Sequence, residues 1–588
     1  MTCHTLTTDQ RYLPDIWGEH TVLRYSGIEG QTDWRSRFQF FTERQPLQFV
    51  ALLEPALRLA WISESADHEI EYLLSEQARF TLDGCPVLVT LADACTLLVA
   101  CPPEQEPHVT LGETTYGPAG SCSADGTPVQ TGAGFVSIRR VEFDGRVRWA
   151  IGFDRDAEEL AARRAEIGLT YDAAALTERR CRWYANLPRP TASLPQRHEK
   201  CRQKALSILR GSIQSPQGRL VTPWSTPSAR HVHLNAWDTL FHCFGTMLFA
   251  PTFATQDALQ LLMCQHADGI VPNPVWPDAA FDRRHIHPPL IGWALWHAYQ
   301  CTGDKAALAV ALPRLERQIE WIRQNRDQNG NGLLEWDVSN PDVCSGGESG
   351  RDNDQRFDDR ALMDSVDLNG FIASELYFLR RIADDLGMSN KAEKLHAEHE
   401  ALQQKYIAAL WDDADSFLYD RMEDGTWKRL RTSASFVALF GRLLDETKAE
   451  ALVKQHLLNP ARFWTALPVP SVAIDEPSFE QNMWRGPVWL PYSFLVFHGL
   501  LNYGYEAAAR ELAERTVESV AGWYEQTGTL YEYYDPFDQL SPAALGRKAE
   551  GNGHNPLKPG GAVPEFSWSA AVYLNLLWWL HGSEAVAR

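Results

Sequence analysis

The chain has 588 residues, 44% of them hydrophobic and 22% charged, the make-up of a folded protein large enough for two or three domains. A formal net charge of −21 excludes the basic face of a nucleic-acid binder and weakly favours neutral or cationic ligands. The 11 cysteines are scattered, odd in number and without a Cys-x-x-Cys pair, which argues against a disulfide framework or a zinc site and for reduced thiols in a cytoplasmic protein.

Met1 to Gln10 lacks the basic-then-apolar pattern of an export signal, and no run of about 18 apolar residues occurs, so neither a leader nor a membrane partner is expected. Residues 1–155 read as strands: LQFVALLE, ARFTLDG, GFVSIRRVEF and RVRWAIGF are short runs bounded by Gly, Pro, Asp and Glu, several with the period of a half-buried strand. Their close spacing predicts a β-sandwich accessory domain, and nothing in it groups residues for chemistry. Residues 156–195 read as a helical linker broken by LPRPTASLPQ.

Residues 196–588 turn helical, with segments expected at 197–212, 236–250, 254–267, 288–302, 304–325, 365–386, 389–412, 431–443, 446–457, 483–503, 504–526 and 566–582. Short turns such as Gly303-Asp304 and Gly387-Met388 join long helices in pairs. Six such hairpins predict a mainly α, (α/α)6-barrel catalytic domain. An open solenoid would show repeats of constant length, and these segments differ in length and sequence.

Trp recurs beside polar residues, at Trp237-Asp238, Trp336-Asp337 and Trp484-Arg485. A sugar ring has one face of C–H bonds and a rim of hydroxyls, so its sites pair flat aromatics with carboxylates, amides and Arg. Hydrolysis of a glycosidic bond then usually needs two carboxyls flanking it. Among 76 Asp and Glu, most of which solvate helix surfaces, two settings stand out. Glu348-Ser349-Gly350-Arg351-Asp352 follows a Gly-rich stretch and interleaves acids with Arg; Leu530-Tyr531-Glu532-Tyr533-Tyr534-Asp535 sets a Glu among tyrosines that can aim it. A solvated charged loop and an aromatic surface turn are the plainer accounts of the two. Met483-Trp484-Arg485-Gly486-Pro487 opens a long apolar helix, and Asp238 is placed to cap a helix or to bind hydroxyls. His285 and His287 are too weak a pair for a metal.

Asp327, Asn329 and Asn331 precede Gly332 with the spacing that begins a calcium loop, but position twelve is Val338, leaving Glu335 at position nine as a substitute acid. An ordinary Asn-Gly turn explains the same residues equally well.

Together the ESG-x-D loop, the WRGPVW helix start, the YE-x-YDP segment, the HPPLIGWA stretch and the PEFSWSAA run, which carries Trp568, resemble glycoside hydrolase family 63 over roughly residues 200–582. That family includes processing α-glucosidases and mannosylglycerate and glucosylglycerate hydrolases, with trehalases as distant relatives. The resemblance implies an inverting α-glycosidase acting on a carbohydrate without an organic cofactor. It makes Asp352 the general acid and Glu532 the general base. Trp237, Asp238, Trp336, Glu348, Trp484, Arg485 and Trp568 are the candidate substrate-binding residues. It also fits structural calcium at Asp327, Asn329, Asn331 and Glu335. The family usually reads Gln-Pro-Pro where this chain has His287-Pro288-Pro289, so a subsite contact differs. The alternatives are a non-catalytic carbohydrate-binding protein on the same fold, disfavoured by the presence of both acids, and a trehalase-like hydrolase.

Overall fold

The computed structural model describes residues 21–44, 47–61, 68–118, 120–278, 285–340, 344–547 and 561–582. The reading of Met1 to Gln10 as free of a leader lies outside them.

Among the described residues thirteen strands come first. One sheet has the order β1 (Val22–Leu23), β2 (Phe40–Arg44), β3 (Leu47–Ala51), β4 (Leu57–Trp61), β9 (His108–Leu111), β10 (Thr114–Tyr116). The other runs β11 (Asp125–Thr131), β12 (Gly134–Phe143), β13 (Arg146–Asp154), β8 (Thr96–Cys101), β7 (Cys85–Asp93), β6 (Gln77–Leu82), β5 (His68–Leu73). Their facing residues, among them Phe49, Leu59, Phe80, Val89, Val99 and Ile151, bury one shared core, as alternation along the strands requires. Two hairpins follow from a dipeptide: Asp83-Gly84 and Asp144-Gly145 both take positive φ, so Leu82 pairs with Cys85 and Phe143 with Arg146 across two-residue turns.

Two helices, α1 (Glu158–Gly168) and α2 (Ala173–Ala185), follow the sandwich. Arg180 on α2 is fully buried and holds Glu29, Gln77, Thr90 and the Leu91 carbonyl. Glu29 also pairs with Arg210 of the next helix, so one buried ion network ties the sandwich, α2 and the helical region together.

Among the described residues twelve α-helices follow, with short strand pairs between some of them: α3 (Gln196–Ser212), α4 (Ala236–Thr246), α5 (Pro251–Met263), α6 (Ile291–Thr302), α7 (Lys305–Arg326), α8 (Val366–Asp385), α9 (Ser389–Leu410), α10 (Val437–Phe440), α11 (Glu446–Leu452), α12 (Leu490–Asn502), α13 (Glu506–Thr527) and α14 (Ser567–His581). Three differ from expectation. The segment expected at 431–443 is a 3-10 turn, Ser433–Phe436, and one α-helical turn; the one expected at 446–457 ends in a π-turn, Val453–Leu457. The helix expected from 483 starts at Leu490, because Gly486 and Pro487 keep Met483–Arg485 as a separate 3-10 turn.

The even-numbered helices pack in order, α4 on α6, α6 on α8, α8 on α10, α10 on α12, α12 on α14, and α14 returns to α4. Left-handed glycines make the short hairpin turns: Gly303 ends α6, and Asp304 caps α7 by accepting from the Ala307 N–H. Trp237 and Trp568, in the first turns of α4 and α14, and Trp489, just before α12, lie together. Among the described residues no helix is long and apolar enough to cross a membrane.

Candidate active site

The centre of the site is an aromatic wall. Trp237 lies with its ring centroid 6.1 Å from Trp484, 5.8 Å from Trp568 and 6.1 Å from Tyr492. Trp484 stacks on Trp489 at 3.8 Å, and Trp489 is 5.6 Å from Trp568. Indole donors fix the rings: Trp489 donates to the Met483 carbonyl, and Trp568 to the carbonyl of Glu532 itself. The Tyr492 hydroxyl is buried without a hydrogen-bond partner.

The loop carrying Asp352 is clamped onto this wall at both sides. Gly350 takes φ +76°, and a Cβ there would stand 2.8 Å from the Trp237 ring, so only glycine lets the loop settle on the indole. The Asn353 side chain accepts from the Trp484 N–H at 2.9 Å and donates to Asn482. Beneath, Arg351 is buried between the rings of Trp484 and Tyr492, 4.8 and 4.7 Å from their centroids, and pairs with Asp354. Arg356 continues the network to Asp367 and Asp420. The interleaved arginines therefore build the loop's floor.

Glu532 is buried, its N–H donating to the Val563 carbonyl and its Oε2 accepting from the Val563 N–H at 3.3 Å. Arg547 grips both of its oxygens. Burial opposes the charge on that guanidinium, but the Glu532 carboxylate more than offsets it, with Asp352 contributing, and the arginine is held above its ordinary range. The tyrosines of the segment face elsewhere: Tyr533 donates to the Gly546 carbonyl, and the Tyr534 hydroxyl accepts from the Tyr531 N–H.

Asp238 ties the carboxyls together. It is fully buried in the first turn of α4, and its Oδ2 has no partner. Burial pushes it well above the carboxylate range, and Glu532 and then Asp352 push it further. It does not cap α4, whose cap position is Asn235. Arg230, half-buried beside Arg547 and Glu532, has Nε and Nη2 without partners and is lowered to about 10, by burial first and then by Arg547. The His287 ring stands perpendicular to Trp237 at 6.3 Å between centroids; burial holds this imidazole well below its ordinary range, and therefore neutral.

Thus Trp237, Asp238, Trp484, Trp568, Asp352 and Glu532 come together. Three other candidates do not join them. Trp336 is buried with its indole donating to Asp367, in the loop's floor. Glu348 is consumed by Arg326 and by the N–H groups of Ile286 and Asp337. Arg485, one residue beyond the inward Trp484, turns out to Asp358 and Glu480. Arg230, Arg547 and Tyr492 were not singled out from sequence, because a lone Arg or Tyr in a loop or helix carries no spacing signal.

In the candidate calcium loop, Asp327 Oδ2 accepts from the Gly332 N–H and Glu335 Oε2 from the Gln328 N–H. Asp364 joins them, accepting from the amides of Asn329 and Asn331. Among the described residues no group of three or more His, Cys, Asp or Glu is spaced to hold a metal. Two observations nevertheless fit a cation: Asp327 Oδ1 and Glu335 Oε1 are buried without partners, and burial with Asp364 and Asp327 pushes Glu335 up to about 7.

Residues 231–569 match the model of the mannosylglycerate hydrolase MGH1-like glycoside hydrolase domain, more than half of the chain. The chain belongs to this glycoside hydrolase family. A mannosylglycerate hydrolase from Rubrobacter radiotolerans is 24% identical over 444 residues, covering 60% of this chain and 93% of its own. Other curated relatives are matched over about half their length or less. Two solved structures share the fold. The family 63 mannosylglycerate hydrolase from Thermus thermophilus, in complex with Tris, superposes with a TM-score of 0.50 at 20% identity, covering 64% of this chain and 99% of its own. A bacterial glucoamylase complexed with acarbose gives 0.54 at 8% identity, covering 97% and 87%. As a member of family 63, the chain is a hydrolase acting on glycosides.

Proposed function

We propose that the chain hydrolyses a small α-linked glycoside with inversion, on an (α/α)6 barrel, with Asp352 as general acid and Glu532 as general base. The closed packing order of α4, α6, α8, α10, α12 and α14 supports the barrel. The observation that carries the chemistry is the buried carboxyl of Asp238, which feels both Glu532 and Asp352 against the Trp237 wall. Three carboxyls in one aromatic cleft are what a sugar and its two proton transfers require. Asp352 gives its proton to the glycosidic oxygen as the bond to the anomeric carbon breaks. Glu532 takes a proton from the water that attacks that carbon on the opposite face. Asp238, protonated, donates to a ring hydroxyl without adding a third charge.

The aglycone is read from Arg230. A guanidinium with two unpartnered, buried nitrogens beside the cleft calls for an anion, which favours a glycoside of a hydroxy acid, such as a glycosylglycerate, over a neutral disaccharide. Hydrolysis of mannosylglycerate, glucosylglycerate, trehalose and maltose by the purified chain tests this. Turnover of the neutral sugars alone would refute the acidic aglycone, and turnover of none would refute the activity.

Calcium in the Asp327 loop, with Glu335, Asp364 and the Asn329 and Asn331 side chains as oxygen donors, belongs to the same proposal. Its chemistry would be structural, neutralising carboxylates that otherwise repel. A cytoplasmic location is likewise part of the proposal.

A further inference from the structure

Helix α12, which carries part of the aromatic wall at its start, lines a second cavity further along, together with α6, α8 and the end of α10. Tyr492 on α12 faces Trp237, whereas His498, six residues on and roughly 9 Å along the axis at 1.5 Å per residue, lines this cavity of about 160 Å³. Phe241, Trp293 and Phe494 pack between the two, with centroid separations of 5.8, 5.8 and 6.5 Å, so the cavity is separate from the cleft.

Its charge is unusual. Arg381 donates to the Tyr377 hydroxyl at 3.2 Å, Arg442 lies over the same ring at 3.9 Å, and Arg380 stands 5.4 Å from it. Arg442 donates to the Asn502 side chain. Among the described residues none of the three arginines is paired with a carboxylate, in a chain with 76 acidic against 55 basic residues. Burial, then Arg381 and Arg380, lower Arg442 against the Tyr377 and Tyr503 phenols, which raise it, while the Asp385 carboxylate accepts from the indole N–H of Trp296 at the cavity wall. The Tyr377 phenol, in turn, is pulled down by the three arginines against the effect of burial. His297 is lowered to about 3 and His498 well below its usual range, by burial first, so both imidazoles are neutral and add no charge.

Donors without partners point to what is missing. Trp293 is fully buried, lines the cavity, and its Nε1 has no partner; His498 Nε2 has none either, and one Arg380 nitrogen is in the same state. Arg442, just beyond the end of α10, does complement the dipole of that helix. That effect leaves an orphaned indole N–H in a cavity unexplained.

We propose that this cavity binds a small phosphate monoester of sugar size, its phosphoryl group held between Arg381 and Arg442 with the Trp293 and His498 nitrogens donating, and its carbon skeleton against Trp296 and Phe378. Guanidinium forks match phosphoryl oxygens two by two, and the aromatic walls suit the C–H face of a sugar. The site is independent of the acid and base proposed for hydrolysis.

The test uses the full chain at constant ionic strength, titrated with glucose 6-phosphate, inorganic phosphate, citrate or chloride, and read by calorimetry and tryptophan emission. Saturable binding of the sugar phosphate below about 1 mM, about tenfold tighter than inorganic phosphate, is expected. Arg381→Gln and Arg442→Gln should each weaken it at least about tenfold while hydrolysis persists. Should those variants not fold, phenylglyoxal modification of the wild type decides: the ligand must protect Arg381 and Arg442. No saturable binding, equal binding of chloride, citrate preferred to both phosphates, unchanged affinity in both variants, or protection confined to Arg230 and Arg547 would each overturn the proposal. Loss of hydrolysis with this binding intact would instead count against the glycosidase reading alone.

Discussion

The guanidinium of Arg547 grips both carboxylate oxygens of Glu532, and the same carboxylate accepts from the backbone of Val563. A carboxylate held this way is aimed in one direction, as the proposed general base must be. Arg547→Met should therefore lower kcat by about 10–100-fold while the circular dichroism spectrum stays intact. A kcat within about twofold of the wild type would show that Arg547 does not position Glu532.

Asp352→Asn and Glu532→Gln should each cost roughly 10²–10⁴-fold in turnover while leaving the circular dichroism spectrum intact. A glycosyl fluoride or aryl glycoside should partly rescue the first and not the second, since only the first lacks protonation of the leaving group. NMR of the first product should show the inverted anomer, and a complex should place the two carboxyls roughly 6.5–9.5 Å apart. Retention, or rescue of the other variant, would reverse the roles.

Arg230→Met should raise KM for glycosylglycerates by about 10–100-fold, the loss of a charge-assisted contact, with little change for neutral glycosides. Arg485→Lys should stay within about threefold of the wild type, because Arg485 faces exposed Asp358 and Glu480. A sharp loss in Arg485→Lys would put that side chain back in the site.

Buried carboxyls set the pH dependence of stability. Burial pushes Glu375 up to about 7, against the N–H groups of Gly292 and Trp293 that favour its charge, and Asp257 likewise to about 7. Both lie above their unfolded values, so the folded state retains protons that the unfolded chain releases. The stabilisation by these groups is complete below about pH 4 and falls as pH rises towards 7, by up to about 3 kcal/mol for Glu375 and about 4 kcal/mol for Asp257. Melting temperature should drop between pH 5 and 7, and Glu375→Gln should flatten that slope. A slope as steep as the wild type's would rule Glu375 out.

Calcium should raise the melting temperature, and a chelator should lower it before hydrolysis is affected, since a ligand of the folded state stabilises by mass action. Asp364→Asn should blunt both effects. No shift with either reagent, together with no metal by elemental analysis, would leave the Asp327 loop an ordinary turn.

Local chemistry was legible in the sequence. Asp83-Gly84 and Asp144-Gly145 specified hairpins because their backbone angles suit so few residues, and Gly303 and Gly387 specified helical turns for the same reason. The carboxyls at 352 and 532 stood out because each sits among residue types that aim a charge. What lay beyond reach was direction and long-range charge. Sequence cannot say that Trp484 turns inward and Arg485 outward, because Gly486 and Pro487 confine the pair to a separate 3-10 turn. Nor can it say that Glu348 is spent on Arg326, 22 residues away, or that Arg547 crosses to Glu532. Those pairings depend on which helix ends the closed packing brings together, and so does the meeting of Asp238, Asp352 and Glu532, residues far apart in the chain that share one desolvated cleft.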